Sequence, residues 1–310
     1  MNRIKFSSTL LLCSLFLSLS AQDDELSKLV ESQTDSSLDN QVTASFKTTR
    51  LINLTTIEQV KKGELDFRIA HRFGNLAGPG GGSTNFFGLE NVSDIRFSFD
   101  YGLTDRLAIG IGRSKGAYDL NQLWDANSKY KILIQNKKTI PISLSVNAGL
   151  TYTTMPSASA SSSVTHFDRS AAHRFNYFGQ VLIARKMSNA ISFILAPTIV
   201  HRNLVTLGDN NTHYAIGIGA RAKISNRAAI IADYYQLINK SGFQSQNKHI
   251  PPIGLGFELE TGGHVFHIIL SNTGGLMENQ FIPLGNEDPT KGNFRLGFNI
   301  SRVFTILKDK

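Results

Sequence analysis

Apolar side chains recur at every second position along most of this chain, a spacing that only an extended strand turns into a face. Ile95, Phe97, Phe99, Tyr101 and Leu103 share one side; Arg96, Ser98, Asp100, Gly102 and Thr104 share the other. Ile142, Leu144, Val146, Ala148, Leu150 and Tyr152 oppose Ser143, Ser145, Asn147, Gly149 and Thr151. Tyr214, Ile216, Ile218, Ala220 and Ala222 oppose Ala215, Gly217, Gly219, Arg221 and Lys223. Segments 253–260 and 294–301 repeat the pattern. Helical spacing fits none of them.

Two all-β architectures produce such alternation: a soluble sandwich or barrel with its apolar side inward, and a membrane barrel with its apolar side outward. Connection lengths separate them. The pattern predicts twelve strands, over 65–73, 95–103, 106–114, 128–136, 140–152, 175–187, 190–202, 213–224, 227–238, 252–260, 264–272 and 293–304. Short turns at 104–105, 136–139, 188–189, 225–226 and 261–263 alternate strictly with long connections at 74–94, 115–127, 153–174, 203–212, 239–251 and 273–292. An even strand number with loops sorted by end is expected of a transmembrane antiparallel up-and-down β-barrel, with short periplasmic turns and long outer loops. A soluble sandwich has no reason to sort its loops by face.

Aromatic placement is a second check. Under this threading Tyr130, Tyr152, Tyr177, Tyr214, Tyr234 and Tyr235 fall at outer strand ends, with Tyr118 and Trp124 in an outer loop. Only Tyr101 lies toward the periplasm. Tyr and Trp prefer the membrane interface because the ring is apolar and its polar group stays wet.

The N-terminus predicts export. Asn2, Arg3 and Lys5 form a basic start, an apolar run follows from Thr9, and Ser18, Ser20 and Ala21 supply small residues for cleavage, so residues 1–21 are expected to be a signal peptide. The single cysteine, Cys13, lies within that run, which leaves the rest without a thiol and excludes disulfide and zinc-ribbon frameworks. Residues 22–44 carry six acids against Lys28, a net −5, and are expected to form an acidic flexible periplasmic lead-in. With Arg3 and Lys5 also set aside, residues 45–310, the expected barrel, hold +11 of the overall +8. These cations are scattered singly, which argues against nucleic acid and favours contact with lipid headgroups and lipopolysaccharide.

Certain segments are familiar as a set. Leu51-Ile52-Asn53, the run from Lys62 to Ile69, His71-Arg72-Phe73-Gly74, Asp100-Tyr101-Gly102 and Gly110-Ile111-Gly112-Arg113-Ser114 resemble an uncharacterised family of outer-membrane β-barrels from Bacteroidetes. Leu182-Ile183-Ala184-Arg185-Lys186, Thr261-Gly262-Gly263-His264-Val265-Phe266 and the run from Gly297 to Phe304 are similar too. The resemblance covers roughly residues 45–305 and implies a barrel in the bacterial outer membrane, without assigning an activity. The last strand partly resembles the C-terminal signal read by barrel-assembly machinery, departing from it by ending in Lys308-Asp309-Lys310 rather than an aromatic residue.

Candidate chemistry is sparse. The glycine-rich 78–83 stretch lacks the Gly-Lys-Ser/Thr of a phosphate cradle. His264 and His267, three apart on a strand, point to opposite faces, so no metal pair is expected there; His264 is expected to bond to backbone near a turn. Six of eight histidines map to the outer rim or loops, with His71, His173, His201 and His213 as rim candidates for an anionic ligand or metal, although polar residues simply collect where water begins. Asp66, Arg68, Arg72, Arg96, Asp100, Arg221, Lys223, Glu258, Glu260 and Arg295 lie on the polar side of their strands and are expected to line the lumen. They could select solutes by charge, or pair and shut the pore; ten buried charges of mixed sign favour pairing.

Three function classes follow. The favoured one is a non-enzymatic outer-membrane barrel, narrow or plugged, acting as a small-solute channel or a structural and accessory component. A second is a barrel that binds a ligand or partner with its outer loops. The third, a phospholipase-like membrane hydrolase, needs Ser and His two apart on one lipid-facing strand side, and no His-x-Ser or Ser-x-His stands on an apolar strand face. No cofactor is expected.

Overall fold

The computed structural model describes residues 41–307, apart from 43, 79, 137, 161–162 and 240–248. The expected signal peptide, and the expected lead-in as far as residue 40, lie outside the described residues. All the strands lie within the compact unit Val42–Lys310.

Twelve strands form one closed antiparallel barrel. They are β1 (Glu64–Asn75), β2 (Val92–Gly102), β3 (Leu107–Ser114), β4 (Leu123–Leu133), β5 (Ser143–Thr153) and β6 (Phe175–Lys186), followed by β7 (Ile191–Arg202), β8 (Thr212–Lys223), β9 (Ala228–Leu237), β10 (Ile253–Thr261), β11 (His264–Ser271) and β12 (Arg295–Thr305). Each pairs with its chain neighbours, and β12 closes on β1 with Arg68 opposite Ser301 and Ile69 opposite Ile300. Closure removes every sheet edge, so all ladder groups are satisfied within the wall.

One parity of each strand faces outward and remains bare. Phe97, Ile111, Phe193, Ile218, Leu255 and Ile268 are all exposed, the last at 65%. A continuous apolar belt of this kind matches a hydrocarbon surround and would aggregate in water.

Strand β4 differs from expectation. It starts at Leu123, five residues before the predicted start, because the 115–122 connection is tightly turned, Gln122 N–H bonding to Lys115 O at 2.6 Å. Trp124 therefore stands on the outer face of the wall and not in a loop. Tyr130 sits opposite Leu107, at the short-turn end, and joins Tyr101 there. Tyr235 also leaves the expected girdle: its parity turns it into the lumen, where it is 1% exposed. Tyr152, Tyr177, Tyr214 and Tyr234 keep their places at the long-loop end of the outer face.

The second departure is inside. Residues 45–63, within the expected barrel span but ahead of its first predicted strand, form no strand of the wall. They enter the lumen from the short-turn end as a hairpin whose tip is 51–54: Thr56 N–H bonds to Thr49 O at 2.9 Å and Leu51 N–H to Leu54 O at 2.8 Å. From the other end the 273–285 segment folds inward, carrying the short helix α1 (Glu278–Phe281), and every residue from 271 to 285 is buried. Alternation could not announce either segment, because neither is part of the sheet.

Candidate functional site

The lumen has two unlike walls. Strands β1 to β4 present charge: Asp66, Arg68, Arg72, Asp94, Arg96, Asp125 and Lys129 all face inward and are buried. Strands β6 to β9 present more apolar groups, Phe178, Leu182, Ile194, Val200, Ile231 and Leu237, with Gln180, Thr198, Arg202, His213 and Asp233 among them. The hairpin lies between them, with Leu51, Ile52, Leu54 and Ile57 in the apolar cluster beside Met277, Phe281 and Ile282 of the inward loop. Three lumenal glycines leave room for three hairpin side chains. A Cβ at Gly219 would stand 2.7 Å from Leu51 Cδ1, one at Gly254 2.7 Å from Ile52 Cγ2, and one at Gly217 2.8 Å from Leu54 Cδ1.

Polar contacts hold the hairpin by its main chain. Asp233, on β9, accepts the N–H groups of Ile52, Asn53 and Leu54 on one carboxylate oxygen, at 3.2, 2.6 and 2.8 Å. Arg72 donates to Ile52 O at 2.9 Å, and Asn299 to Leu51 O at 3.1 Å. Lys129 donates to Thr56 O and Glu58 O at 3.0 and 2.7 Å. A turn of main chain buried without such partners would leave each group unsatisfied, at about 1–3 kcal/mol apiece. From the hairpin, Arg50 reaches Glu278 of α1 at 2.7 Å. Asp94 ties the long-loop end together, accepting Gly116 N–H at 2.8 Å and Leu276 N–H at 3.0 Å.

Beside the charged wall lies a polar cavity of about 30 Å³, bordered by Thr49, Arg50, Arg68, Arg96, Asp100 and Lys129. That is room for about two waters.

The ten residues expected to line the lumen all stand on inward-facing positions. Asp66 pairs with Arg68 at 3.2 Å, Arg96 with Asp125 at 2.7 Å, Arg221 with Glu258 at 2.8 Å and Arg295 with Glu287. Glu260 meets Lys47 of the hairpin's approach at 2.7 Å, half-exposed near the mouth, and Asp100 accepts Thr49 Oγ1 at 3.4 Å. Arg72 serves backbone and amide oxygens, including Asn299 Oδ1 at 3.2 Å. Lys223 lies beyond this network, half-buried near the short-turn end of β8.

The rim histidines do not converge. His71 stands on the outer face of β1, stacked on Phe298 with ring centroids 5.2 Å apart. His201, also outward, bonds to Thr212 and Asn203 at 2.8 and 3.1 Å. His213 turns inward to Arg202 at 3.1 Å, and His173 belongs to a short turn at Ala171–Arg174. His201 lies opposite Thr212 and His213 opposite Val200, one register step apart, so the two histidines point to opposite faces of the wall. Among the described residues no group of three His, Cys, Asp or Glu could hold a metal. His264 and His267 do face opposite ways: His267 meets Glu258 at 3.2 Å inside, while His264 bonds outside to the Arg302 side chain at 3.3 Å, not to backbone as expected.

Sequence reasoning missed Asp94, Asp125, Lys129 and Asp233. Lys129 and Asp233 stand at inward positions of strands the sequence predicts; Asp94 and Asp125 fell in predicted connections, because β2 and β4 start earlier than expected.

In sequence, no curated protein matches the chain. The family described as Membrane bound beta barrel domain (DUF5777) matches over residues 46–304, a span that takes in the lumenal hairpin as well as the twelve strands. Solved structures similar in shape include a NanC porin, at TM-score 0.47 and 10% identity over 78% of this chain and 100% of that one. A KdgM porin follows at TM-score 0.44 and 8% identity over 78% and 99%. An outer membrane channel from Pseudomonas putida F1 gives TM-score 0.40 and 14% identity over 80% and 98%.

Proposed function

The chain belongs to the membrane-bound β-barrel domain family DUF5777, and from that premise we propose that it is a non-enzymatic, gated small-solute channel of the bacterial outer membrane, shut at rest by its own chain. One observation carries this: a hairpin from one mouth and a loop from the other lie in the lumen, anchored there by apolar packing and by side-chain contacts. A wall built only as a scaffold could fill its lumen with its own side chains, as small barrels do. Here the filling is a separate hairpin that is no strand of the wall and joins β1 through Gly63, whose N–H bonds to Gly102 O and whose carbonyl accepts the Ile306 and Leu307 N–H groups.

The export signal and the basic surplus of residues 45–310 support an outer-membrane location, with lipopolysaccharide as the external contact and barrel-assembly machinery as the partner in biogenesis. The sequence resemblance supports an origin in Bacteroidetes. Planar-bilayer recording of the refolded chain tests the proposal. The native chain should be silent or open rarely, and a chain with a loosened hairpin should conduct in stable steps. Steady conductance by the native chain would refute closure at rest. Silence of every correctly folded hairpin variant would refute the channel and leave a structural barrel, the second reading that a packed lumen supports.

A further inference from the structure

The lumen reads the hairpin the way a binding site reads a peptide. Its polar groups address main-chain atoms: one carboxylate takes three consecutive N–H groups, while an amide, a guanidinium and an ammonium take the carbonyls of Leu51, Ile52, Thr56 and Glu58. Its glycines form sockets for the side chains of Leu51, Ile52 and Leu54. Main-chain contacts supply affinity for any peptide in a tight turn, and sockets select apolar residues at its tip, the division of labour seen where peptides add to folded domains. A sugar would leave the apolar wall of β6 to β9 uncovered, and a small anion would use none of the acceptor set on Asp233.

We infer that the barrel lumen is a binding site for short apolar peptides in a tight turn, occupied in cis by residues 49–56. This names the solute class of the channel proposed above and rests on that reading. The tethered hairpin competes at an effective concentration on the order of millimolar or more. A free peptide therefore enters only when the hairpin is loosened, and the hairpin excludes it otherwise.

The test uses the full chain carrying Leu51→Ser and Leu54→Ser, which empties two sockets and leaves the wall untouched. The probe is a fluorescent synthetic peptide of residues 48–57, closed by a disulfide between added terminal cysteines, followed by anisotropy. Saturable binding to the loosened chain is expected, with affinity at least roughly tenfold weaker for the native chain and for the loosened chain carrying Asp233→Ala, since charge-assisted bonds to three N–H groups are lost. A scrambled peptide should bind as poorly. Equal binding of native and scrambled peptides, indifference to Asp233, or no binding to the folded, loosened chain would each overturn the inference. Should the double variant not fold, Leu51→Ala alone carries the same measurement. Anisotropy is read independently of conductance: a loosened chain that conducts without binding peptide sinks only this inference, and one that binds peptide without conducting sinks the channel.

Discussion

Arg50 and Glu278 stand 228 residues apart in the chain and 2.7 Å apart in the lumen, where the hairpin from one mouth meets the loop from the other. Glu278 is fully buried, and its second oxygen has no partner. Losing Arg50 leaves a buried carboxylate without its cation, at about 3–5 kcal/mol, whereas replacing both partners by apolar residues is close to neutral. Arg50→Met should therefore raise the frequency of channel openings sharply, and Arg50→Met with Glu278→Leu should return it toward the native level. Single-channel records of the two variants decide this; equal opening in both would show that the pair is no latch.

Asp233 holds the tip of the hairpin, and its removal should be felt first by the amides it accepts. Asp233→Ala leaves three buried N–H groups without an acceptor, each worth about 1–3 kcal/mol. Hydrogen exchange at Ile52, Asn53 and Leu54 should accelerate by roughly a hundredfold or more, while the ladder amides of β1 and β12 keep their protection. Unchanged exchange at the tip would remove Asp233 from the account.

The socket at Gly219 has a steric test. Gly219→Val would thrust a branched side chain into the space of Leu51 Cδ1, 2.7 Å from its Cβ, and into Ile194 Cγ2 at 2.9 Å. Overpacking of this kind costs about 1–3 kcal/mol. The expected result is a barrel that still shows heat-modifiable migration, with its 45–63 segment newly open to protease.

On the opposite face of the same strand the response should differ. Ile218 points outward and is half-exposed, so Ile218→Lys near the midplane should destabilise the whole barrel by about 2–4 kcal/mol in bilayers, as should Phe97→Lys and Leu255→Lys. Denaturant titration in lipid vesicles measures it. A soluble, detergent-free fold of any of these variants would contradict the membrane-facing belt.

Orientation is testable by labelling. Leu207 is fully exposed in the connection after β7, at the long-loop end, and Ser225 is exposed in the turn between β8 and β9. On intact cells an impermeant maleimide should modify Leu207→Cys and spare Ser225→Cys. The reverse pattern would invert the barrel.

The sequence by itself determined the wall. Alternation at Ile95 to Leu103 or Tyr214 to Ala222 is a local property of an extended chain, and loop lengths then fix strand number and the sorting of connections. The inward parity of Asp66, Arg96 and Glu258 followed from the same period. Only the tertiary structure decided what fills the barrel. Leu51, Ile52 and Leu54 lie in a segment with no strand period, and the atoms that claim them, on Asp233, Gly219 and Gly254, are about 170 to 200 residues away, brought within reach by closure of the sheet. The apolar inner faces of β6 to β9 carry the same logic. A lumen wall is polar where it meets water and apolar where it meets another part of the chain, and which of these it meets is a matter of packing, not of pattern.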